Sequence, residues 1–189
     1  IEYLRRYPQM HIDLVTDARL IDIVADGFDV GFRLAEAVPQ DMVSVRLGPD
    51  VRLLVVCSPD YLARQNAVPQ TPHDLLSHAC IRYRFTSGKL YRWEFERDGK
   101  SVVLDVGGPL TLDSPLLMAE AALHGVGIAY VYEGYVCEHL QSGRLVQLLP
   151  DWTPVYAGLC LYYPRQRHIT AALRAFIDLA KEARGAFAV

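Results

Sequence analysis

The chain has 189 residues, of which 51% are hydrophobic and 22% are charged, and its formal net charge is −3. These proportions are typical of a folded globular protein, and the length is sufficient for one domain or two small lobes. The longest apolar stretches have only the length of a strand, so the sequence predicts no transmembrane helix and no contact with a membrane. The negative charge, without any run of basic residues, argues against a nucleic-acid-binding surface in this chain.

The cysteines are far apart in the sequence and form no C-x-x-C pair. Two of them lie in apolar, strand-like segments, which favours buried thiols over metal ligands or disulfides. Reduced cysteines are typical of a cytoplasmic protein, which is the expected location. The four cysteines are Cys57, Cys80, Cys137 and Cys160.

The first quarter of the chain predicts a strand–helix–strand unit. Residues 1–6 have the pattern of the last turns of a helix, which stops at Tyr7-Pro8. Alternation predicts a strand over residues 11–16, helical spacing predicts a helix over 20–26 that ends at Gly27, and residues 28–33 are again strand-like. This order is typical of a parallel sheet. No strand is predicted before the first helix.

The next segments carry clear local signals. Residues 51–57 are almost continuously apolar, which predicts a strand buried on both faces. Ser58-Pro59 and Thr71-Pro72 each predict the start of a short helix, and Asp74 lies where the acid of a capping box belongs. The alternating segments 91–96 and 101–106 flank Asp98-Gly99-Lys100, which predicts an antiparallel hairpin.

Residues 112–130 predict a capped helix that leads through a glycine turn into a buried strand. Pro115 suits the first helical position, which makes Ser114 the N-cap, and Gly125 and Gly127 are expected at positive φ. The glycines follow a helix and precede a strand, the reverse of a dinucleotide-binding loop. Further elements are expected near residues 134–140 (helix), 145–149 (strand), 158–163 (strand) and 169–183 (amphipathic helix).

Residues 80–95 and 112–130 together resemble the effector-binding domain of LysR-type transcriptional regulators, and 26–33, 58–62, 142–146 and 161–164 match in order and spacing. The resemblance covers essentially the whole chain. It implies an α/β fold of two Rossmann-like lobes with a ligand cleft between them, similar to type 2 periplasmic-binding proteins. We expect residues 1–79 and 158–189 in lobe I, without its first strand, and residues 80–157 in lobe II. The two crossings are expected near 80–84 and 152–158.

The resemblance also implies a function. A small metabolite, with carboxylates and amino acids as the first classes to consider, would bind between the lobes of a homodimer or homotetramer. DNA would be bound only by an N-terminal helix-turn-helix that this chain lacks, and no cofactor is implied. The alternative is a periplasmic solute-binding protein, which shares the two-lobed architecture, although four unpaired cysteines count against it. The sequence contains no nucleophile elbow, phosphate-binding loop or H-E-x-x-H motif, so catalysis is not expected.

Polar residues at strand ends are the candidate ligand contacts in the first lobe. Thr16 ends its predicted strand and Asp17 opens the following turn. The resemblance implies a ligand contact for the Thr16 hydroxyl, and capping of a helix after Arg19 is the equally weighted alternative. Arg33 ends the next strand and could pair with a ligand carboxylate, or with Glu36 in a surface ion pair.

In the second lobe the candidates are Tyr83, Arg84, Asp113 and Ser114. Alternation along residues 82–85 directs the tyrosine and phenylalanine to one side and the arginines to the other, so only one pair can face the cleft. Asp113 and Ser114 stand at the start of the predicted helix, whose free N–H groups attract anions. Simple capping of that helix is the alternative role for both. The histidines are scattered, and no metal site is expected.

Overall fold

The structure is a computed structural model that describes residues 1–17, 21–166 and 169–183. The helices are α1 (Glu2–Arg6), α2 (Pro59–Ala63), α3 (Pro115–Leu123), α4 (Cys137–Gln141) and α5 (Ala171–Ala183). The strands are β1 (Gly31–Leu34), β2 (Met42–Arg46), β3 (Val51–Cys57), β4 (Ile81–Tyr83), β5 (Trp93–Arg97), β6 (Lys100–Leu104), β7 (Leu110–Leu112), β8 (Ala129–Tyr132), β9 (Val146–Leu148), β10 (Val155–Tyr156) and β11 (Leu159–Pro164). The described residues also form 3-10 helices at Ala35–Ala37, Pro72–Ser77, Glu133–Tyr135 and Pro150–Trp152.

The first compact unit comprises residues 1–51 and 156–189. Its sheet has the order β1-β11-β2, and both pairings are antiparallel. Helix α5 packs on this sheet through the apolar face that its sequence predicts, because burying that face removes apolar surface from water. The core on this side contains Leu161, Tyr163, Leu173 and Ile177, with Phe176 and Ala180 packed against it.

The second compact unit comprises residues 52–155 and is built around β3. This strand pairs antiparallel with both β8 and β9. Alternate β3 residues enter two different core clusters: Val55 and Cys57 contribute to one, and Leu54 and Val56 to the other. The prediction of a strand buried on both faces is therefore confirmed.

The short-range predictions in this unit are confirmed in detail. Strands β5 and β6 form the hairpin, with Arg97 opposite Lys100, and Asp98 and Gly99 both have the positive φ that a tight two-residue turn requires. The Ser58 hydroxyl accepts a 3.2 Å hydrogen bond from the Tyr61 N–H and caps α2. Asp74 completes the predicted capping box with Thr71.

The α3 region differs from expectation at one glycine. Pro115 is the first residue of the helix and Gly125 has φ +70°, as predicted. Gly127 is not at positive φ. Its missing side chain instead permits close approach of the backbone, because a Cβ there would overlap the Ala79 carbonyl oxygen and lie 3.1 Å from the carbonyl carbon. Gly127 is therefore needed for space, and the prediction of positive φ was wrong.

Two predicted elements of the first quarter are absent from the described residues. Residues 11–16 form no strand and are exposed, because no described strand offers them a ladder partner. The helix expected over 20–26 begins at Leu20, outside the described residues, and its remainder is a single turn that ends at Gly27 with φ +78°. The predicted parallel pairing with residues 28–33 is also wrong, since β1 pairs antiparallel with β11. Parallel pairing of described strands occurs between β4 and β7.

The chain passes between the two compact units twice. It leaves the first unit after Val51, and β3 pairs with β8 and β9 of the second unit. It returns to the first unit between Val155 and Tyr156. The expected lobe division, with crossings near residues 80–84 and 152–158, stays a prediction.

Cys57, Cys80 and Cys160 are buried, Cys137 is exposed, and all four are free. Burial raises the pKa of Cys57 and of Cys80 to about 12. In the described part of the chain, no helix has the length and apolar character needed to cross a membrane.

Candidate functional site

The predicted site residues divide between the two units. Thr16, Asp17 and Arg33 belong to the first, and Tyr83, Arg84, Asp113 and Ser114 belong to the second. Thr16 is exposed in the irregular segment before the undescribed residues 18–20, and Asp17 is half-buried. The alternative role of Thr16, capping a helix after Arg19, concerns residues outside the described part of the chain.

Arg33 has two contacts within the first unit. Its Nη2 donates a 2.8 Å hydrogen bond to the carbonyl oxygen of Ile21, and its Cζ lies 5.2 Å from the centroid of the Tyr162 ring. These groups are its partners among the described residues, and the alternative ion pair with Glu36 is not formed there. The guanidinium thus lies over an aromatic ring, whose quadrupole attracts a cation.

Tyr162 is a member of this site that reasoning about strand ends missed. It lies directly opposite Gly31 in the β1–β11 pairing and its side chain is only 2% exposed. Burial raises the pKa of its hydroxyl, and the charge of Asp22 adds to that rise while Arg33 opposes it. The signal available in the sequence was the glycine two residues before Arg33, which leaves space for a large neighbour.

In the second unit the four predicted residues gather at one edge. Strands β4 and β7 are parallel, so Tyr83 and Leu112 lie side by side where both strands end. The Arg84 N–H donates a 2.8 Å hydrogen bond to the Leu112 carbonyl. Asp113 and Ser114 follow immediately and lead into α3. The ends of two parallel strands and the start of a helix therefore meet, as at the ligand sites of open α/β sheets.

The side chains around Tyr83 form a half-buried aromatic row. The rings of Tyr83 and Phe85 are 5.2 Å apart and perpendicular, and Tyr91 continues the row 5.9 Å from Phe85. Burial raises the pKa of the Tyr83 hydroxyl, and the negative charge of Asp113 raises it further. Arg84 is exposed and its Nη1 donates to the Gly88 carbonyl at 2.9 Å. Tyr83 and Arg84 thus face different surroundings, as alternation predicts.

The start of α3 is not capped by a side chain. Ser114 occupies the N-cap position with extended backbone, yet its hydroxyl makes no capping hydrogen bond, which corrects the expected side-chain cap. Among the described residues, the exposed Asp113 carboxylate forms no side-chain hydrogen bond that could take the place of this cap. A hydroxyl, a carboxylate and the first N–H groups of the helix are therefore available together to a polar ligand.

One cavity of the described residues lies apart from the predicted site residues. A cavity of about 560 Å³ in the first unit is lined by Tyr3, His11, Phe28 and Phe176 among others, and the predicted site residues do not line it. Among the described residues, no group of three or more histidine, cysteine or acidic side chains is placed to hold a metal ion.

Comparison with known proteins gives one consistent result. The profile of the LysR substrate binding domain matches residues 2–185. The chain is 41% identical over 181 residues to the uncharacterized HTH-type transcriptional regulator YcaN of Escherichia coli, covering 96% of this chain and 59% of that protein. It is 37% identical over 180 residues to the HTH-type transcriptional regulator PgrR of the same organism, covering 95% and 60%.

The fold is similar to that of a solved regulator. The full-length structure of AphB, the Vibrio cholerae virulence activator of the LTTR family, superposes with a TM-score of 0.79 at 24% identity, over 97% of this chain and 61% of that chain. The similarity confirms the predicted fold class, an α/β protein of two Rossmann-like lobes of the type 2 periplasmic-binding-protein kind. The chain spans about three fifths of the length of these relatives.

Proposed function

The chain belongs to the LysR substrate-binding domain family, and on that premise we propose that it is the effector-sensing and oligomerisation domain of a LysR-type transcriptional regulator. The single observation that carries the proposal is the family match over residues 2–185. The relatives are transcriptional regulators, which favours a regulator over both a periplasmic solute-binding protein and an enzyme.

The proposed effector is a small metabolite that carries a carboxylate and a hydrogen-bonding group, such as an amino acid or a hydroxy acid. Arg33 supplies a cation in the first unit. The second unit supplies the Tyr83 hydroxyl, the Asp113 carboxylate and the uncapped start of α3. Thr16, Asp17, Arg84 and Ser114 complete the proposed contacts. A ligand that binds one conformation of the domain more tightly than others would stabilise that conformation, which is what a sensor requires.

The proposed assembly and location follow the family. The domain acts as a homodimer or homotetramer, and DNA is bound by an N-terminal helix-turn-helix in the longer protein. Net charge of −3 fits a domain that does not itself hold DNA phosphates. A regulator of transcription works in the cytoplasm.

A thermal-shift screen of small carboxylates and amino acids tests the proposal. A true effector at 100 times its dissociation constant adds about 2.7 kcal/mol to stability. For a chain of this length that raises Tm by roughly 5–11 °C. Arg33→Ala should abolish the shift, whereas Arg144→Ala, at an exposed arginine of the second unit, should leave it unchanged. If the screen finds a ligand whose shift survives Arg33→Ala, the assignment of the site is wrong.

A further inference from the structure

We propose that Tyr162 holds the Arg33 guanidinium in one fixed orientation and so selects effectors that carry a carboxylate. The inference rests on the proposed effector-binding function. It identifies the residue that positions Arg33, the cation proposed to bind the effector. Tyr162 is a positioning residue, since it acts through Arg33.

The strand pairing places the two side chains on one face. Gly31 lies opposite Tyr162 and Arg33 lies opposite Cys160, so Arg33 and Tyr162 are diagonal neighbours on the same side of the sheet. Gly31 leaves that side empty between them. A Cβ at Gly31 would lie 2.6 Å from the Tyr162 hydroxyl oxygen and closer still to the ring carbons. The ring can therefore extend across β1 and reach the Arg33 guanidinium only because residue 31 is glycine.

Two contacts then hold the guanidinium in place. The Tyr162 ring supports it at 5.2 Å, and the Ile21 carbonyl accepts from Nη2 at 2.8 Å. The ring cannot easily move, because Tyr162 is 2% exposed. An arginine held in this way loses less rotamer entropy when it binds a ligand than a free one does.

The guanidinium also keeps its charge available. No carboxylate among the described residues forms an ion pair with Arg33. Asp22, whose charge acts on Tyr162, accepts hydrogen bonds at its Oδ1 from the N–H groups of Val24 and Ala25, at 2.9 and 3.3 Å, and not from Arg33. The N–H groups of Arg33 that do not contact Ile21 match the planar, two-oxygen geometry of a carboxylate.

The test follows the Arg33 Nε–Hε signal by NMR in the 189-residue chain, with Arg33→Lys to assign it. Sodium acetate is the probe, with acetamide, sodium phosphate and sodium chloride at matched ionic strength as comparisons. Acetate should shift the signal with a dissociation constant in the millimolar range, and acetamide and chloride should not. Before any addition, the signal should show slow side-chain exchange and a ring-current shift.

The variants separate positioning from general packing. Tyr162→Phe keeps the aromatic face and should bind acetate within twofold of the wild type. Tyr162→Leu and Tyr162→Met remove that face and should weaken binding at least fivefold. Tyr163→Leu is the matched control, since Tyr163 lies next along β11 and packs into the core with α5. The Tyr163→Leu protein should bind acetate within twofold of the wild type.

Several results would overturn the inference. A wild-type Arg33 signal without a ring-current shift would show that the ring does not hold the guanidinium, and this needs no variant to fold. Unchanged acetate binding in Tyr162→Leu, or stronger binding of phosphate than of acetate, would do the same. If these tests succeed while the effector screen fails, the positioning of Arg33 by Tyr162 is supported and the proposed function is not. If the screen succeeds and these tests fail, only the role of Tyr162 is refuted.

Discussion

Replacing Gly127 by alanine should destabilise the protein, although this residue has ordinary negative-φ backbone. The new Cβ would overlap the Ala79 carbonyl oxygen and lie 3.1 Å from its carbon, against ordinary contacts of 3.4–4 Å. Both obstacles are backbone atoms, so no side chain can rotate away. The same carbonyl accepts a 2.9 Å hydrogen bond from the Ile128 N–H, and the overlap would break or stretch it.

The magnitude follows from these two effects. A lost backbone hydrogen bond costs about 1 kcal/mol. Forced displacement of well-packed neighbours costs about 1–3 kcal/mol more. Gly127→Ala should therefore lower the free energy of unfolding by about 2–4 kcal/mol, and Tm by roughly 4–16 °C.

Urea titration and calorimetry measure the effect, and Gly107→Ala is the matched control. A Cβ at Gly107 meets no atom within 4 Å and its φ is not positive, so that substitution should be neutral or stabilise by up to about 1 kcal/mol. Gly127→Asn distinguishes a need for positive φ from a need for space. Asparagine tolerates a positive φ, but its Cβ leaves no room for the Ala79 backbone. A Gly127→Ala protein that melts within 1 °C of wild type would refute the reasoning.

Two further predictions concern titratable groups. Cys137 alone should react quickly with a thiol reagent at pH 8 in the folded protein, and all four cysteines in guanidinium, because the other three are buried and the pKa values of Cys57 and Cys80 are raised to about 12. A second fast thiol would contradict this. Two backbone N–H groups hold the pKa of Asp74 below its usual value. Its contribution to stability is therefore complete above its unfolded pKa of about 3.9 and declines as the pH falls through the folded pKa. The urea midpoints of the wild type and Asp74→Asn should approach each other as the pH is lowered from 7 to 2.5. A difference between the midpoints that does not change with pH would argue against this linkage.

The candidate site was only partly accessible from sequence. Tyr83, Arg84, Asp113 and Ser114 were recognised because a short strand and a helix start are local patterns, and the structure brings these residues to one edge. Tyr162 lies 129 positions from Arg33 along the chain, and only the β1–β11 register makes them neighbours. Pairing over such a distance leaves no periodic trace in either segment.

What the sequence by itself determined are the elements whose cause lies within a few residues. The β5–β6 hairpin follows from Asp98-Gly99, the α2 cap from Ser58-Pro59, and the burial of β3 from its unbroken apolar run. Each is decided by local backbone preference or by the hydrophobicity of one segment.

Only the tertiary structure decided the features that need a distant partner. The alternation of residues 11–16 predicts a strand, but no described strand pairs with them, and a strand without a ladder partner leaves its backbone groups to water. Gly125 and Gly127 look alike in the sequence, but the structure needs them for different reasons. Gly125 adopts a positive φ, whereas Gly127 leaves room for the backbone of Ala79. A contact between residues far apart in sequence depends on how the chain packs, and that is settled by the whole fold rather than by either segment.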